Sequence, residues 1–307
     1  MQEYFAKFKS NLEFDSTLAE SISSRHNAIR AYLENNHPDF KDSKLIGSFK
    51  RSTRIHPGTG HKFDIDILVI MGEFYRWVNT GGISAEAAMH SLHNTIQKSP
   101  RYGVMNPIQD APTVSLTYSQ DDIDVELVPA YIDKIGEDQS GNQLGNIGRG
   151  YWVPKNGAWE IADYDYEAEY ISGKNKVANN ELVPIIKMIK AVKGIHFPKL
   201  SSFPLEILVA DIIPTNIELC RYMSRPLSYP DLLKNFFDLA PARLTKSIEI
   251  PGSKSKPITL DQSIVLELIG IFSKISQHIQ YTSTLANKQD KVAAWRKLFG
   301  NYFPSTI

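Results

Sequence analysis

The feature that most constrains this chain is an apolar run at residues 63–70, Phe-Asp-Ile-Asp-Ile-Leu-Val-Ile, which only Asp64 and Asp66 interrupt. Side chains of a β-strand alternate between its faces, so the two aspartates share one face while Ile65 and Ile67 point into a core. Two carboxylates on one face repel each other unless a cation lies between them. The run therefore predicts a strand with a site for a hard divalent ion such as Mg²⁺, which prefers oxygen ligands.

A second acidic pair occurs further along the chain. Asp124 and Glu126 alternate with apolar residues at 123–128, a pattern that predicts another strand. If this strand lies beside the first, one of its two acids completes a three-carboxylate site. Two metal ions held there, about 3.5–4 Å apart, would clamp the attacking and leaving groups of an in-line displacement.

A glycine-containing segment precedes the first acidic strand. It reads Gly-Ser-Phe-Lys-Arg-Ser-Thr at 47–53 and follows a strand-like run at 44–46. Glycine permits a tight turn there, and backbone N–H groups in such a turn can face a phosphate. A Gly-Ser pair or a D-x-D alone is weak evidence for function, because both are frequent in solvated turns. A strand, a Gly-Ser turn, a D-x-D strand and a third acidic strand together form a far more demanding combination.

This order of motifs resembles the polymerase-β-like nucleotidyltransferases, in which G-S, a gap, D-x-D and a later acidic strand follow one another. In detail it resembles the bacterial CD-NTases, relatives of cyclic GMP-AMP synthase and oligoadenylate synthetase. In that family G-S-x-x-R-x-T precedes D-x-D, and Gly47, Ser48, Arg51 and Thr53 match it. The likeness continues through the lysines of 184–190, Ser-Phe-Pro-Leu-Glu at 202–206 and Trp-Arg-Lys-Leu-Phe-Gly-Asn-Tyr-Phe-Pro at 295–304.

The resemblance implies roles for the matched positions. Asp64 and Asp66 would hold metal together with a third acid, for which we favour Asp124 because its apolar neighbours match the family's usual aspartate. Glu126 is the alternative, since it fits members that end acid-x-Val-Pro. The nucleotide-binding residues implied by the family are Gly47, Ser48, Arg51, Thr53, Lys187, Lys190 and Ser202.

The wider pattern indicates an α+β fold of two lobes. A long helix predicted at 15–36 precedes strand-like runs and a helix at 85–97, and helical spacing then recurs at 181–193, 204–213, 229–237, 261–278 and 287–298. Gly and Asn are frequent at 138–157, so we place the lobe boundary near there. The prediction is a catalytic lobe with a mixed β-sheet at 1–150 and a helical lobe, similar to the C-terminal part of oligoadenylate synthetase, at 151–307.

Aromatic residues cluster just after this boundary. They could stack a nucleotide base, but packing in a core or between lobes is the favoured interpretation. The cluster comprises Tyr151, Trp152, Trp159, Tyr164 and Tyr166.

The function implied by the resemblance is synthesis of a cyclic di- or trinucleotide from nucleoside triphosphates, with release of pyrophosphate, in CBASS anti-phage signalling. The substrates would be ATP, GTP, UTP or CTP, and two Mg²⁺ ions, replaceable by Mn²⁺, would be the cofactors. A regulatory partner protein and a downstream effector that binds the product are also implied. The alternatives are a transferase that adds nucleotides to an RNA or protein acceptor, and a catalytically inactive nucleotide-binding relative.

The composition limits the kinds of partner and site that we expect for this protein. Lys and Arg number 34, as do Asp and Glu, so the formal net charge is zero and no large nucleic-acid footprint is expected. The single cysteine, Cys220, excludes an internal disulfide and a cysteine-cluster metal site. No apolar run approaches the length of a membrane span, and no secretory signal pattern occurs at 1–11, so we expect a cytoplasmic protein.

Overall fold

A seven-stranded mixed sheet and a set of helices make up the computed structural model, which describes residues 1–13, 16–56, 63–78, 81–119, 123–133 and 150–307. The strands are β1 (Asp42–Leu45), β2 (Phe63–Glu73), β3 (Ile108–Asp110), β4 (Thr113–Tyr118), β5 (Ile123–Ile132), β6 (Tyr151–Lys155) and β7 (Ala158–Ala162). The helices are α1 (Gln2–Asn11), α2 (Ser16–Asn36), α3 (Gly47–Lys50), α4 (Phe74–Trp77), α5 (Ala85–Gln97), α6 (Tyr164–Val177), α7 (Leu182–His196), α8 (Ser202–Tyr222), α9 (Tyr229–Leu244), α10 (Gln262–Thr284) and α11 (Lys288–Phe299). The predicted α+β class is confirmed.

The strand order places β2 and β5 at the centre of the sheet. The path runs β1-β2-β5-β4-β3, β6 pairs with the end of β5, and β7 pairs with β6. Only β2 and β5 are parallel among these pairs of described strands, and all the others are antiparallel. Both central strands therefore run in the same direction, and equivalent positions in their sequences lie side by side.

The two faces of the central strands have different surroundings. On one face, Ile65, Ile67 and Val69 join the buried residues of α2 and α5 in one apolar cluster. On the other face, Leu68 and Ile70 pack in a second cluster with residues of β5 and β6. Each strand thus begins with one apolar face and one acidic face and becomes apolar on both sides further along.

The helical part has its own core, to which both ends of the chain contribute. Phe5 and Phe8 of α1 pack against Phe299 and Phe303, and the Phe8 and Phe299 ring centroids lie 4.3 Å apart. All four rings are buried among the residues of α7 to α11. None of the helices in the described ranges combines the length and the apolarity needed to cross a membrane.

Most of the predicted elements are present, with longer bounds. The helix predicted at 15–36 begins at Ser16, since Asp15 lies outside the described residues, and it ends at Asn36, before His37. The helix predicted at 85–97 is α5, where the Ser84 side chain caps the first turn by accepting from the Ala87 N–H. Helix α1 was not predicted, because its short polar-rich sequence has a weak pattern and the helix depends on tertiary contacts such as those of Phe5 and Phe8 with Phe299.

The predicted lobe boundary near residue 150 falls inside the sheet. Strands β6 and β7 extend the sheet up to Ala162, and β6 joins it through Ile132 opposite Tyr151. Residues 134–149, which include most of the Gly- and Asn-rich segment, lie outside the described residues. The composition favoured a boundary near β6, but it does not reveal that β6 and β7 extend the sheet before helix α6 begins.

The aromatic cluster packs within the protein, as favoured from the sequence. Trp152 stacks on Phe74 with ring centroids 4.2 Å apart and donates its indole N–H to Asp133 at 3.0 Å. Trp159 lies edge-on to Tyr131 and donates to the carbonyl of Ile83. These rings therefore anchor β6 and β7 to the rest of the sheet.

Candidate active site

Four acidic side chains share one face of the parallel strands β2 and β5. The strands pair in register, so Asp64 lies opposite Asp124 and Asp66 lies opposite Glu126. Ile65, between the two aspartates, is fully buried on the opposite face. Because both strands alternate acidic and apolar residues, this register brings all four carboxylates to one face.

Crowding of these carboxylates changes their proton affinity. The pKa of Glu126 is raised to about 7, first by burial and then by the negative charges of Asp66, Asp64 and Asp124. The pKa of Asp66 is also raised, again by burial first, although the Arg51 charge acts in the opposite direction. Partly buried like charges are unfavourable unless a proton or a cation neutralises them. A divalent cation at this face would relieve the repulsion.

Gly47 brings the turn after β1 close to the acids. Its backbone has φ +62°, a conformation that glycine adopts without steric cost. A Cβ atom at this position would overlap the Oδ2 atom of Asp66. Only glycine therefore lets the backbone that carries Ser48 approach the acidic strand this closely.

The acids form one wall of a cleft of about 380 Å³, which we call the first cleft. The wall contains Asp64, Asp66 and Glu126, and the serines Ser48 and Ser202 also line the cleft. Its basic residues are Arg51, Arg54, Lys190 and Lys193. Its apolar end is formed by Ile55, Ala191, Gly194, Ile195 and Tyr302. The cleft thus joins an oxygen-rich cation site, positive charges suited to phosphate and an apolar surface.

A second cleft of about 350 Å³ lies beside the same acids. It shares Arg51, Asp66 and Glu126 with the first cleft, and Gly47 also lines it. Its far rim carries Glu160, which pairs with Lys155 at 3.5 Å and with Lys256 at 3.2 Å. The acidic face therefore borders two separate spaces.

A buried polar network joins the sheet to the helical part behind the first cleft. Glu206, fully buried on α8, accepts from the Arg51 Nε at 2.7 Å and from the Thr53 hydroxyl at 2.8 Å. The Lys190 ammonium donates to the other Glu206 oxygen at 3.1 Å and to the Thr53 carbonyl at 3.0 Å. Burial alone would raise the pKa of Glu206, but the charges of Arg51 and Lys190 lower it below its ordinary value. Glu206 is thus a structural anion that fixes two cleft cations.

Lys187, one helical turn before Lys190, has a different environment. Its ammonium lies 2.6 Å from a carboxylate oxygen of Glu13, which follows helix α1, and its side chain is only 7% exposed. Burial lowers the pKa of Lys187, while the contact with Glu13 raises it. This lysine therefore tethers the segment after α1 to α7.

The predicted nucleotide-binding residues thus divide into three groups. Ser48, Arg51, Lys190 and Ser202 line the first cleft, and Gly47 lines the second cleft. Thr53 and Lys187 line neither of these two clefts and instead bond to Glu206 and Glu13. The candidate metal ligands Asp64, Asp66 and Glu126 line the first cleft, whereas Asp124 lies beside Asp64 outside its lining.

Two further cations line the first cleft without having been singled out from the sequence. Lys193 follows Lys190 by three residues on α7, so the two lie on one helix face. The guanidinium of Arg54 stacks over the Phe49 ring at 4.2 Å. The repeat of lysine at every third position of α7 was the available signal for Lys193, since it extends the face that carries Lys190.

The residues present fit a divalent metal ion. Carboxylate oxygens are the donors that Mg²⁺ prefers, and burial together with the neighbouring negative charges raises the pKa of Glu126. Across the described ranges, no three His, Cys, Asp or Glu side chains are already arranged to enclose an ion. Mg²⁺ commonly rests on one or two carboxylates and takes further oxygens from phosphate. The incomplete cage is therefore consistent with an ion that phosphate oxygens complete.

The fold and the acidic cleft define a nucleotidyltransferase of the polymerase-β-like class. Residues 1–175 match the SMODS family, the Second Messenger Oligonucleotide or Dinucleotide Synthetase domain. This match spans more than half of the 307 residues, and the chain belongs to that family.

Similar proteins agree with this assignment. The chain is 23% identical over 326 residues to a cyclic AMP-AMP-AMP synthase of Acinetobacter sp., covering 99% of this chain and 85% of that protein. The E. coli MS115-1 CdnC structure, in complex with HORMA-deltaN, superposes with a TM-score of 0.72 at 16% identity, covering 98% of both chains. Bradyrhizobium diazoefficiens CdnG, a CD-NTase in complex with GTP, superposes with a TM-score of 0.68 at 11% identity. The superposition covers 97% of this chain and 94% of that chain. The chain is a CD-NTase-type nucleotidyltransferase that makes cyclic oligonucleotides.

Proposed function

We propose that the acidic face between the two clefts joins nucleoside triphosphates into a cyclic di- or trinucleotide in a Mg²⁺-dependent reaction. The observation that carries this proposal is the in-register pairing that sets Asp66 opposite Glu126 on the wall of a cleft lined by cations. Asp64 and Asp66 would hold the metal together with one acid of β5. Bound Mg²⁺ supplies charge neutralisation and lowers the pKa of a coordinated hydroxyl group.

For the third acid we now favour Glu126 over Asp124. Glu126 lines both clefts, whereas Asp124 lines neither of them. Burial first, and then the charges of the other acids, raise its pKa to about 7. Glu126 therefore has the position expected of a group that sits between two substrates.

The chain's own residues would bind the triphosphate in the first cleft. Lys193 and Arg54 are basic residues of its lining, and ammonium and guanidinium groups pair well with phosphate oxygens. Ser48 and Ser202 offer hydroxyl donors on either side. Lys190, held by Glu206, presents its charge from a fixed position, so it need not reorganise during the reaction.

The second cleft would hold the nucleotide that attacks. Its ribose hydroxyl oxygen forms a bond to the α-phosphorus of the first nucleotide, the bond from that phosphorus to the bridging oxygen breaks, and pyrophosphate leaves. The hydroxyl proton passes to Glu126 or to water. Holding both nucleotides next to one acidic face lowers the entropic cost of bringing them together.

The relatives support adenine or guanine nucleotides as substrates and a protein partner as regulator. One relative is named for a product made of three AMP units, and another is in complex with GTP. The CdnC structure contains HORMA-deltaN, which supports regulation of this chain by a protein of that kind. We propose that the product activates a separate effector in CBASS anti-phage defence, in the cytoplasm.

Incubation of the purified protein with four NTPs and Mg²⁺ or Mn²⁺, followed by mass spectrometry, tests the proposal. We expect a cyclic oligonucleotide and pyrophosphate from the wild type and neither from the Asp64→Asn/Asp66→Asn double variant. Asp124→Asn and Glu126→Gln form a matched pair, and only the second should abolish turnover. Turnover in the double variant would refute the proposal. Labelling only of added RNA or protein would support an acceptor-modifying transferase, and NTP binding without turnover would support an inactive relative.

A further inference from the structure

Residues 295–304, which are part of the resemblance to the family, have a defined place in the fold. The reaction proposed above assigns them no role. Helix α11 ends at Phe299, and Gly300 then turns the chain with φ +62°. A Cβ atom at Gly300 would lie 3.0 Å from the Cδ1 atom of Ile195, so a side chain there would press on the end of α7. Phe299 and Phe303 are fully buried on either side of the turn. The turn therefore places Tyr302, which lies between two buried anchors, at the edge of the first cleft.

Two distant segments and the adjacent helix α11 fix this turn. The Tyr302 hydroxyl donates to the His56 carbonyl at 2.9 Å, and the Asn11 side-chain amide donates to the Tyr302 carbonyl at 2.9 Å. Arg296 donates to the Phe303 carbonyl at 2.9 Å. An aromatic ring held at both its hydroxyl and its backbone loses little further conformational entropy when a ligand packs on it.

Tyr302 belongs to the uncharged part of the cleft lining, together with Ile55, Ala191, Gly194 and Ile195. Ile195 lines the same cleft and is 48% exposed, so its apolar side chain is accessible to a ligand. The basic and acidic residues of the same cleft suit a triphosphate with its metal, as proposed above. The remaining part of a nucleoside triphosphate is its base, a flat ring system that packs on aromatic and apolar side chains.

We propose that Tyr302 and Ile195 bind the base of the nucleoside triphosphate in the first cleft. This inference rests on the proposal that the first cleft holds the triphosphate. The tail turn then has a function beyond closing the helical core, since it delivers an aromatic ring from the last residues of the chain to the substrate. Stacking on aromatic rings tolerates every base, so Tyr302 would contribute affinity more than base choice.

Two ligands separate binding of the base from binding of the phosphates. The first is α,β-methylene ATP or GTP, whichever binds the wild type more tightly, because neither can lose pyrophosphate. The second is inorganic tripolyphosphate, which has no base. Affinities would be measured by calorimetry in Mg²⁺ with the full chain, for the wild type, Tyr302→Leu, Tyr302→Phe and Ile195→Ala. Tyr281→Leu, a change at a 59% exposed tyrosine on α10, is the matched control.

We expect Tyr302→Leu to weaken the nucleotide analogue roughly tenfold and to leave tripolyphosphate unchanged. Tyr302→Phe should bind the analogue much more tightly than Tyr302→Leu, since it keeps the ring and loses only the bond to His56. Ile195→Ala, at an exposed position that does not threaten folding, should weaken the analogue but not tripolyphosphate. Equal weakening of both ligands by Tyr302→Leu, no weakening, or failure of Tyr302→Phe to restore binding would each overturn the inference.

These measurements also separate this inference from the proposed function. They need no turnover, so a wild type that binds the analogue through Tyr302 but makes no cyclic product would refute only the proposed reaction. A wild type that turns over normally while Tyr302→Leu binds the analogue normally would refute only the role of Tyr302.

Discussion

Arg51 donates to Glu206 at 2.7 Å across the junction between the sheet and the helical part, and the Glu206 side chain is fully buried. Removing one member of a buried ion pair leaves the other charge uncompensated and typically costs about 3–5 kcal/mol. Here the loss would strand two cations, since Lys190 donates to the same carboxylate. We therefore expect Glu206→Gln to lower the free energy of unfolding by at least about 3 kcal/mol, as measured in urea.

The exposed pair of Glu267 and Lys199 is the control for this prediction. Its atoms lie 3.2 Å apart, but both side chains are largely exposed. Glu267→Gln should change the free energy of unfolding by about 1 kcal/mol or less. Similar losses for the two variants would show that the buried network does not stabilise the junction.

The pKa of Glu126 predicts a dependence of stability on pH and metal. The folded-state value is raised to about 7 from an ordinary value of 4.5, so Glu126 contributes stability that is present below pH 4.5 and lost as pH rises through 7. In EDTA, the melting temperature of the wild type should therefore fall relative to that of Glu126→Gln between pH 5.5 and 8. Mg²⁺ with a nucleotide should restore it at pH 8, because the cation replaces the proton. A difference between the two proteins that stays constant over this range would contradict the electrostatic account.

The row of lysines on α7 predicts opposite outcomes for two similar changes. Lys193→Met removes a charge from the lining of the first cleft, and the loss of a charge-assisted contact to phosphate should raise the KM for NTP about tenfold or more. Lys187→Met removes a charge that pairs with Glu13 outside that lining, so it should lower stability while changing KM less. Steady-state kinetics of pyrophosphate release, with thermal unfolding in parallel, would distinguish them. A larger KM effect from Lys187→Met would reverse the assignment.

Gly47 predicts a loss of activity that exceeds the loss of stability. Gly47→Ala should abolish turnover, because its Cβ would displace the Asp66 carboxylate. Gly157→Ala is the matched control, since Gly157 also has a positive φ of 76° but a Cβ there would meet open space. Both variants should lose about 1 kcal/mol through backbone strain, and only the first should lose pyrophosphate release. Full activity in Gly47→Ala would contradict the close approach.

The sequence predicted the two acidic strands well, because alternating acidic and apolar residues are typical of a strand with one buried face. A period of two with acids on one side specifies a strand, a buried face and a ligand face without any tertiary information. The in-register pairing of Asp66 with Glu126 could not be read in this way, since register depends on which residues face each other across the sheet. For the same reason, the sequence alone could not show that Glu126 lines both clefts while Asp124 lies outside their lining.

The lysines of helix α7 could not be assigned to the first cleft from the sequence alone. Apart from Val183, its residues 182–192 are all buried, so apolar spacing does not say which lysine faces a cleft and which faces α1. Resemblance pointed to Lys187 and Lys190, whereas Lys190 and Lys193 line the first cleft. Only the packing of α1 and Glu13 against one end of the helix separates these lysines.

The shared core of the chain's two ends affects the order of folding. Phe5 and Phe8 are far from their partners Phe299 and Phe303 in the sequence. Contacts of such long sequence separation form slowly, because the entropy of closing the intervening loop is lost before the contact forms. Since Tyr302 belongs to the same turn, the part of the first cleft that it lines is complete only after these distant segments have met.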